Sequence, residues 1–551
     1  MGPYQQPFTK KRVRIELPPN ENTITTMSSL KKAACVTSTF IESLVFTGPL
    51  LGWSSLAFCL KSEGYFDTCS QPVESVHVSA SESSELETTS LLINSSEHCS
   101  VENDTICADQ TKTINDLYTY AAIICNIYCL ASGYLLDKYG TWISRFLSCL
   151  LLTTGAMLMA ISTPSSSYLY YFGFPMMSSG GIALLVSNIQ IANLYPSKRG
   201  VIITEINGLF GSSSAVFLIV KMLYQSGIPL SRIMMSYGLL SLLCLVKTFL
   251  LMPRYNIPFD VPPGFDFGLC DLQSKKEVDE RKVDLSKKSE SFSNSASSML
   301  YIGFLLFFGI LLLRLNYFLS SYFAWLSDLV RRVIPDCDAR AEYISKYVNI
   351  LGTVQLLEAV TYAPLIGAFF DYLRRFIRRR NENLPEEISS LKANSVCLFI
   401  CLIFGVISTI LPCIDNIALQ TVTIVSLCLY RCFYVGTIAT FLTYAFPVEH
   451  FGKLYGIARV VGGFSTFLSK PIFAAVVEND NAFKDANIDF TIALILCFAQ
   501  PINIYRCAMK KEKKFIDEDE NNLETSFIQK NHKVDHLNSS VMLNSLQSIA
   551  A

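Results

Sequence analysis

The residues best placed to do chemistry in this chain are ionisable or amide side chains set inside long apolar runs. Glu42 lies a third of the way along a run at 33–60. Glu205 and Asn207 sit near the start of a run at 201–223, and Arg314 and Asn316 halfway through one at 299–325. Gln355 and Glu358 fall near the middle of 347–370, one helical turn apart and so on one face. Arg431 sits midway through 420–446. A charged side chain at the bilayer centre costs about 2.5–3.5 kcal/mol on insertion scales, so each needs a partner or a function. Two readings stand. In one, these residues line a polar cavity, where an amide such as Asn207 or Gln355 matches a donor and an acceptor on the rim of a small solute. In the other, Glu42 or Glu358 pairs with Arg314 or Arg431 as a structural ion pair. Tyr362, Tyr430 and Phe433 are close enough in sequence to add aromatic stacking. Arg431 is the position most worth testing, because a guanidinium keeps its charge and presents five donors that cannot go unpaired at mid-span.

Other chemistries find no support. His77, His98, His450, His532 and His536 all lie outside the apolar runs, so no histidine-based triad or metal cluster is expected, and no cofactor. No Gly-x-x-x-x-Gly-Lys loop is present, which removes ATP-driven work, and the rings of carboxylates that a cation channel uses are missing. A formal net charge of −1 over 551 residues lacks the basic footprint of a nucleic-acid binder.

The elements that must hold these residues are membrane helices. Hydrophobic residues make up 51% of the chain and charged residues 17%, where a soluble chain carries about 25% charge. A helix needs about 20 apolar residues to cross a bilayer, and unbroken apolar runs in lipid can only be helices. The runs predict an all-α membrane protein with twelve transmembrane helices in two six-helix bundles. The first six lie near 33–60, 117–136, 142–163, 168–193, 201–223 and 232–252. The second six lie near 299–325, 347–370, 394–413, 420–446, 453–477 and 488–507.

The division expected is a cytosolic tail at 1–32, a bundle at 33–252, a cytosolic linker at 253–298, a bundle at 299–507 and a cytosolic tail at 508–551. Basic residues set the orientation. Lys10, Lys11, Arg12 and Arg14 precede the first span, Arg374, Arg375, Arg378, Arg379 and Arg380 follow the eighth, and Lys510, Lys511, Lys513 and Lys514 follow the twelfth. By the positive-inside bias both termini are cytosolic, although Arg331 and Arg332 fall on the other side. The Ser- and Glu-rich loop at 61–116 is then external, and its sequons at Asn94 and Asn103 are expected to be glycosylated. Cys69, Cys99 and Cys107 share that oxidising side, so one disulfide with a leftover thiol is expected, its pairing open. Most of the 18 cysteines lie inside apolar runs and read as small core residues.

The two halves echo each other. Gly133-Tyr134-Leu135-Leu136-Asp137 after the second span answers Gly367-Ala368-Phe369-Phe370-Asp371 after the eighth. Leu194-Tyr195-Pro196 ends the fourth span, and Ala445-Phe446-Pro447 the tenth. The stretch Gly133 to Gly140, with Lys138 and the later Arg145, resembles the signature loop of the major facilitator superfamily. That resemblance implies a conformational latch built from Gly133, Asp137, Lys138, Gly140, Arg145 and Asp371, although Thr141 and Trp142 replace the usual basic pair.

A closer resemblance spans nearly the whole membrane region. Ile41-Glu42-Ser43 leading to Leu51-Gly52-Trp53-Ser54-Ser55-Leu56, then Thr248-Phe249-Leu250-Leu251-Met252-Pro253-Arg254, are similar to the solute carrier 43 family. Ala445-Phe446-Pro447-Val448-Glu449-His450-Phe451-Gly452-Lys453 resembles its nucleobase-carrying branch more than its branch for large neutral amino acids. The resemblance implies facilitated, sodium-independent movement of purine nucleobases such as adenine, guanine and hypoxanthine, with no coupling to protons. The candidate substrate residues are Glu42, Asn207, Gln355, Glu358 and Arg431. A facilitator of large neutral amino acids stays open, with Arg431 for the α-carboxylate and Glu358 for the α-amine. So does a membrane scaffold that transports nothing. The partners expected are a small-molecule substrate and membrane lipid, in a plasma membrane.

Overall fold

The computed structural model describes residues 21–66, 108–195, 199–257, 292–380, 384–447, 450–478 and 482–517. The sequons at Asn94 and Asn103, and Cys69, Cys99 and Cys107, lie outside the described residues. So does most of the expected linker.

Among the described residues, eleven helical segments are long and apolar enough to cross a membrane. They are α1 (Leu30–Ser62), α2 (Asp109–Tyr139), α3 (Thr141–Ile161), α4 (Pro164–Leu194), α5 (Val201–Gln225) and α6 (Leu230–Leu251), then α7 (Met299–Val333), α8 (Ala339–Arg379), α9 (Glu386–Cys413), α10 (Gln420–Ala445) and, last in the chain, α12 (Phe483–Asp517). The span expected at 453–477 is helical too, as α11 (Phe451–Phe467), continued after a turn by Ser469–Glu478. It is not among the eleven; its two helical pieces are 17 and 10 residues long.

Helix α3 packs on both α4 and α6 in the first half, and α9 packs on α10 and α12 in the second. The halves meet along two seams, α2 against α11 and α5 against α8. The face where α1 begins is called here the near face, and the opposite one the far face.

The breaks in α1, α5 and α8 lie against one another. In α1 the α-helix stops at Phe46, passes through a tight turn at Pro49–Gly52 and resumes at Trp53. Pro49 has no N–H to continue the ladder. The Gly48 N–H that precedes it is taken up by Ser213 Oγ of α5 at 3.0 Å. Helix α5 itself breaks between Ser212 and Ala215. Helix α8 carries a π turn at Glu358–Tyr362, a local widening of the helix frequent at functional sites. There the Ala359 N–H donates to Ser212 Oγ at 2.8 Å, and Ser212 Oγ donates to the Leu356 carbonyl at 2.9 Å. Backbone groups freed in lipid need partners, and here the serines at the α5 break supply them to α1 and α8. The serine run Ser212-Ser213-Ser214 is the sequence feature that makes this exchange possible.

On the near face, Gly140 turns the chain from α2 into α3 with φ of 83°, a conformation that favours glycine. A Cβ there would also sit 2.8 Å from the Arg254 carbonyl. The segment after α6 is tied across this turn by Trp142 Nε1 donating to Met252 O at 2.8 Å and Thr141 Oγ1 donating to Tyr255 O at 3.1 Å.

Candidate functional site

The mutually bonded breaks in α5 and α8 place Glu358 at the seam between the halves. Glu358 is 2% exposed and accepts from Arg431 of α10 through both carboxylate oxygens, with Arg431 Nε to Oε1 at 3.3 Å and Nη2 to Oε2. Arg431 Nη2 also donates to the Gly211 carbonyl of α5 at 3.2 Å, so the pair bridges from the second half to the first. Gly211 leaves the room that the Glu358 carboxylate occupies. A Cβ on it would stand 2.6 Å from Glu358 Oε2. The remaining Arg431 nitrogen, Nη1, has no partner among the described residues, and neither has Nε2 of buried Gln355 one turn before Glu358.

The other seam carries a second polar set. Tyr118 of α2 donates to Asn316 Oδ1 of α7 at 3.1 Å, and Asn316 Nδ2 donates to Thr466 of α11 at 2.9 Å. Asn126 of α2 lies against Gly463, and its Oδ1 has no partner among the described residues. Arg459 of α11 sits beside Cys125 and Cys129 of α2 and Tyr434 of α10, and its Nε lacks a partner as well. The unpartnered atoms named here are three donors, on Arg431, Gln355 and Arg459, and one acceptor, on Asn126. Among the described residues no group of three or more His, Cys, Asp or Glu side chains is placed to hold a metal.

This arrangement of broken helices and buried polar groups between two halves can be compared with known proteins. No protein-family model matches the chain. It is 27% identical over 506 residues to Equilibrative nucleobase transporter 1 of Bos taurus, covering 87% of this chain and 97% of that one. It is 21% identical over 505 residues to Large neutral amino acids transporter small subunit 3 of Homo sapiens, covering 79% and 86%. Among solved structures it resembles the proton:xylose symporter XylE of the major facilitator superfamily, from E. coli, with TM-score 0.53, 13% identity and coverage of 88% and 96%. This is a membrane transporter with the major facilitator fold. It is not an enzyme.

In this transporter the residues singled out from the sequence separate into groups. Glu358, Arg431 and Gln355 lie together at the α5–α8 seam, and the pairing of Glu358 with Arg431 is present. Asn207 is on α5 nearby, its amide donating to its own helix at Ile203 O, 2.8 Å. Glu42 is elsewhere. It sits within the first half in a buried cluster, where Arg145 Nη2 reaches both of its oxygens at 2.7 and 2.6 Å and Lys247 stands at 3.0 Å. Arg145 spends its other donors on Thr248, Ser187 and Asn188. Neither faces the other half. Burial of one carboxylate forces its partners to gather round it, which holds α1, α3, α4 and α6 together.

The expected latch is likewise dispersed. Arg145 is fully buried, whereas Asp137 and Lys138 are exposed on the near face. Lys138 lies over the rings of Tyr134 and Tyr139 at 5.4 and 5.3 Å. Gly133 is not a close-approach glycine, since a Cβ there meets nothing within 4 Å. Asp371 pairs with Arg374 one turn on, at 3.3 Å. Among the aromatics, Tyr430 donates to Leu311 O at 2.8 Å and Phe433 stacks on Phe404, both inside the second half.

Arg459 and Lys221 were not marked by the sequence reading. Both are charges set within apolar runs, the signal that picked out Arg431. Buried Lys221 of α5 donates to Ser345 O at 3.0 Å and to Asn349 Oδ1 at 2.8 Å on α8, and lies 4.4 Å above the Phe58 ring. With Lys470–Asp116 at 3.0 Å and Phe58 against Phe323, it closes the halves together on the far face.

Proposed function

We propose that the chain is a facilitative, sodium-independent plasma-membrane transporter of purine nucleobases that works by alternating access. In this reading twelve helices form two bundles, both termini are cytosolic, and the far face is external. The observation that carries it is the Glu358–Arg431 pair, seated on the π turn of α8 and touching Gly211 of the opposite half. Similarity to a protein named for nucleobases, over 97% of that protein's length, supports the substrate.

A purine presents ring-nitrogen and carbonyl acceptors beside N–H donors. An arginine fork matches adjacent acceptors such as the O6 and N7 of guanine, and a carboxylate accepts from a base N–H. When the halves part at the α5–α8 seam, Glu358 and Arg431 lose the Gly211 contact and gain room for a flat solute. Binding such a solute then replaces the contact to Gly211, and the far-face ring of Lys221, Lys470 and Phe58 opens or closes around it.

A second reading, transport of large neutral amino acids, is favoured by the same adjacent charges, since a zwitterion offers a carboxylate to Arg431 and an amine to Glu358. Uptake of labelled guanine, adenine and leucine into cells expressing the protein separates the two. Saturable purine uptake that leucine does not compete supports the first, and leucine uptake alone supports the second. Uptake of neither, with the protein at the surface, overturns both. Accumulation above the external level that a protonophore abolishes would overturn the facilitative part.

A further inference from the structure

Away from the seams, Arg314 of α7 is buried completely inside the second half. One nitrogen, Nη2, donates to the Ser408 carbonyl of α9 at 2.8 Å. Its Nε and Nη1 have no hydrogen-bond partner among the described residues. The titratable groups around it are Tyr317, Tyr430 and Cys413, none of them a carboxylate. The faces of Phe318 and Phe490, at 5.1 and 5.6 Å, offset part of the charge. Such contacts are worth about 2 kcal/mol when desolvated, below the several kcal/mol that a buried ion costs.

What surrounds the free side of this guanidinium is the informative part. It borders a small cavity whose polar lining includes Tyr317, Ser321, Trp325 and Asn487, with α7, α9 and α12 as its walls. The Trp325 indole N–H and the Tyr317 hydroxyl also lack partners among the described residues. Four donor atoms from three side chains therefore lack partners round one space, against a single unpartnered acceptor in its lining, Asn487 Oδ1. An indole N–H and a guanidinium can only donate. The space gives the centre of a water-sized particle about 10 Å³, which is the room one small particle needs. A water satisfies some of these donors but leaves the positive charge uncompensated. A monatomic anion accepts from all of them and neutralises it.

We propose that this cavity is a binding site for a single small anion of the halide class, held by Arg314, Trp325 and Tyr317 within the second bundle. The site is separate from the seam at Glu358 and Arg431, and it does not depend on which solute is carried. The anion acts as a structural counter-ion that ties α7 to α9 and α12.

The full-length protein in lipid nanodiscs tests this. Its thermal midpoint is followed while chloride or bromide replaces gluconate at constant ionic strength, gluconate being too large to enter. The expected result is a saturable rise in midpoint with either halide. Arg314→Gln abolishes the rise, and Trp325→Phe, which keeps the ring but removes the N–H, raises the half-saturating halide concentration at least threefold. If Arg314→Gln does not fold, Trp325→Phe and Tyr317→Phe decide the matter. Anomalous scattering from bromide in crystals is expected beside Arg314. The proposal is overturned if the wild-type midpoint ignores halide, if the variants respond as the wild type does, or if bromide binds only elsewhere.

Discussion

Replacing Gly211 by alanine tests the seam directly. In the closed arrangement the new methyl would stand 2.6 Å from Glu358 Oε2, closer than carbon and oxygen approach without bonding. Glu358 cannot swing away cheaply, because both of its oxygens are held by Arg431. Helix α5 must therefore back off from α8. Overpacking of this kind costs about 1–3 kcal/mol. The cost falls on the state in which the halves touch and spares states in which they have parted. It lowers the ratio of closed to open protein by about 5- to 150-fold.

A cross-link reports that ratio whatever the solute. An ideal Cβ on Gly352 of α8 lies 3.0 Å from Leu218 Cβ of α5, near the Cβ separation of about 3.5–4.5 Å found in disulfides. A Leu218→Cys, Gly352→Cys protein should thus cross-link on mild oxidation, with the bridged peptides identified by mass spectrometry. Adding Gly211→Ala should slow the cross-linking at least fivefold at equal surface expression. Adding Gly133→Ala instead, where a Cβ meets nothing within 4 Å, should leave the rate unchanged. Equal rates with and without Gly211→Ala would refute the claim that α5 and α8 close on Glu358.

Further outcomes follow from the same contacts. Arg431→Lys keeps the charge but loses the fork that spans Glu358 and Gly211, so uptake of the carried solute should fall at least tenfold with normal surface expression; near-normal uptake would remove the bidentate role. Glu42→Ala leaves Arg145 and Lys247 buried without their carboxylate and should cost about 3–5 kcal/mol, read as loss of folded protein at the surface; a thermal midpoint unchanged in nanodiscs would contradict it. Lys221→Met should increase labelling by membrane-impermeant maleimide of an Asn349→Cys protein, because the bond to the Ser345 carbonyl that such a protein still keeps is then lost as well. Asn94→Gln and Asn103→Gln should each remove a glycosidase-sensitive mobility shift, and the absence of any such shift in the wild type would count against an external 61–116 loop.

Local pattern alone determined where the helices run, because an apolar stretch in lipid has only one way to satisfy its backbone. It also flagged Glu358 and Arg431, since an ionised group in such a stretch demands a partner of opposite sign. The same rule applied to Glu42 pointed to the wrong neighbours. Its true partners, Arg145 and Lys247, lie 103 and 205 positions on, by subtraction of their numbers, and Arg145 read as part of a near-face loop because its neighbours Asp137 and Lys138 are polar. Depth in the bundle is set by where α3 begins, and that depends on the positive-φ turn at Gly140 and the strap at 252–257. The broken helices were equally hidden. Pro49 marks one break, but nothing local shows that Ser213 bonds the backbone of α1 and Ser212 that of α8, each more than a hundred residues away. Sequence determines which residues need partners; tertiary packing alone decides which partners they meet, since pairing energy depends on distance in space and not along the chain.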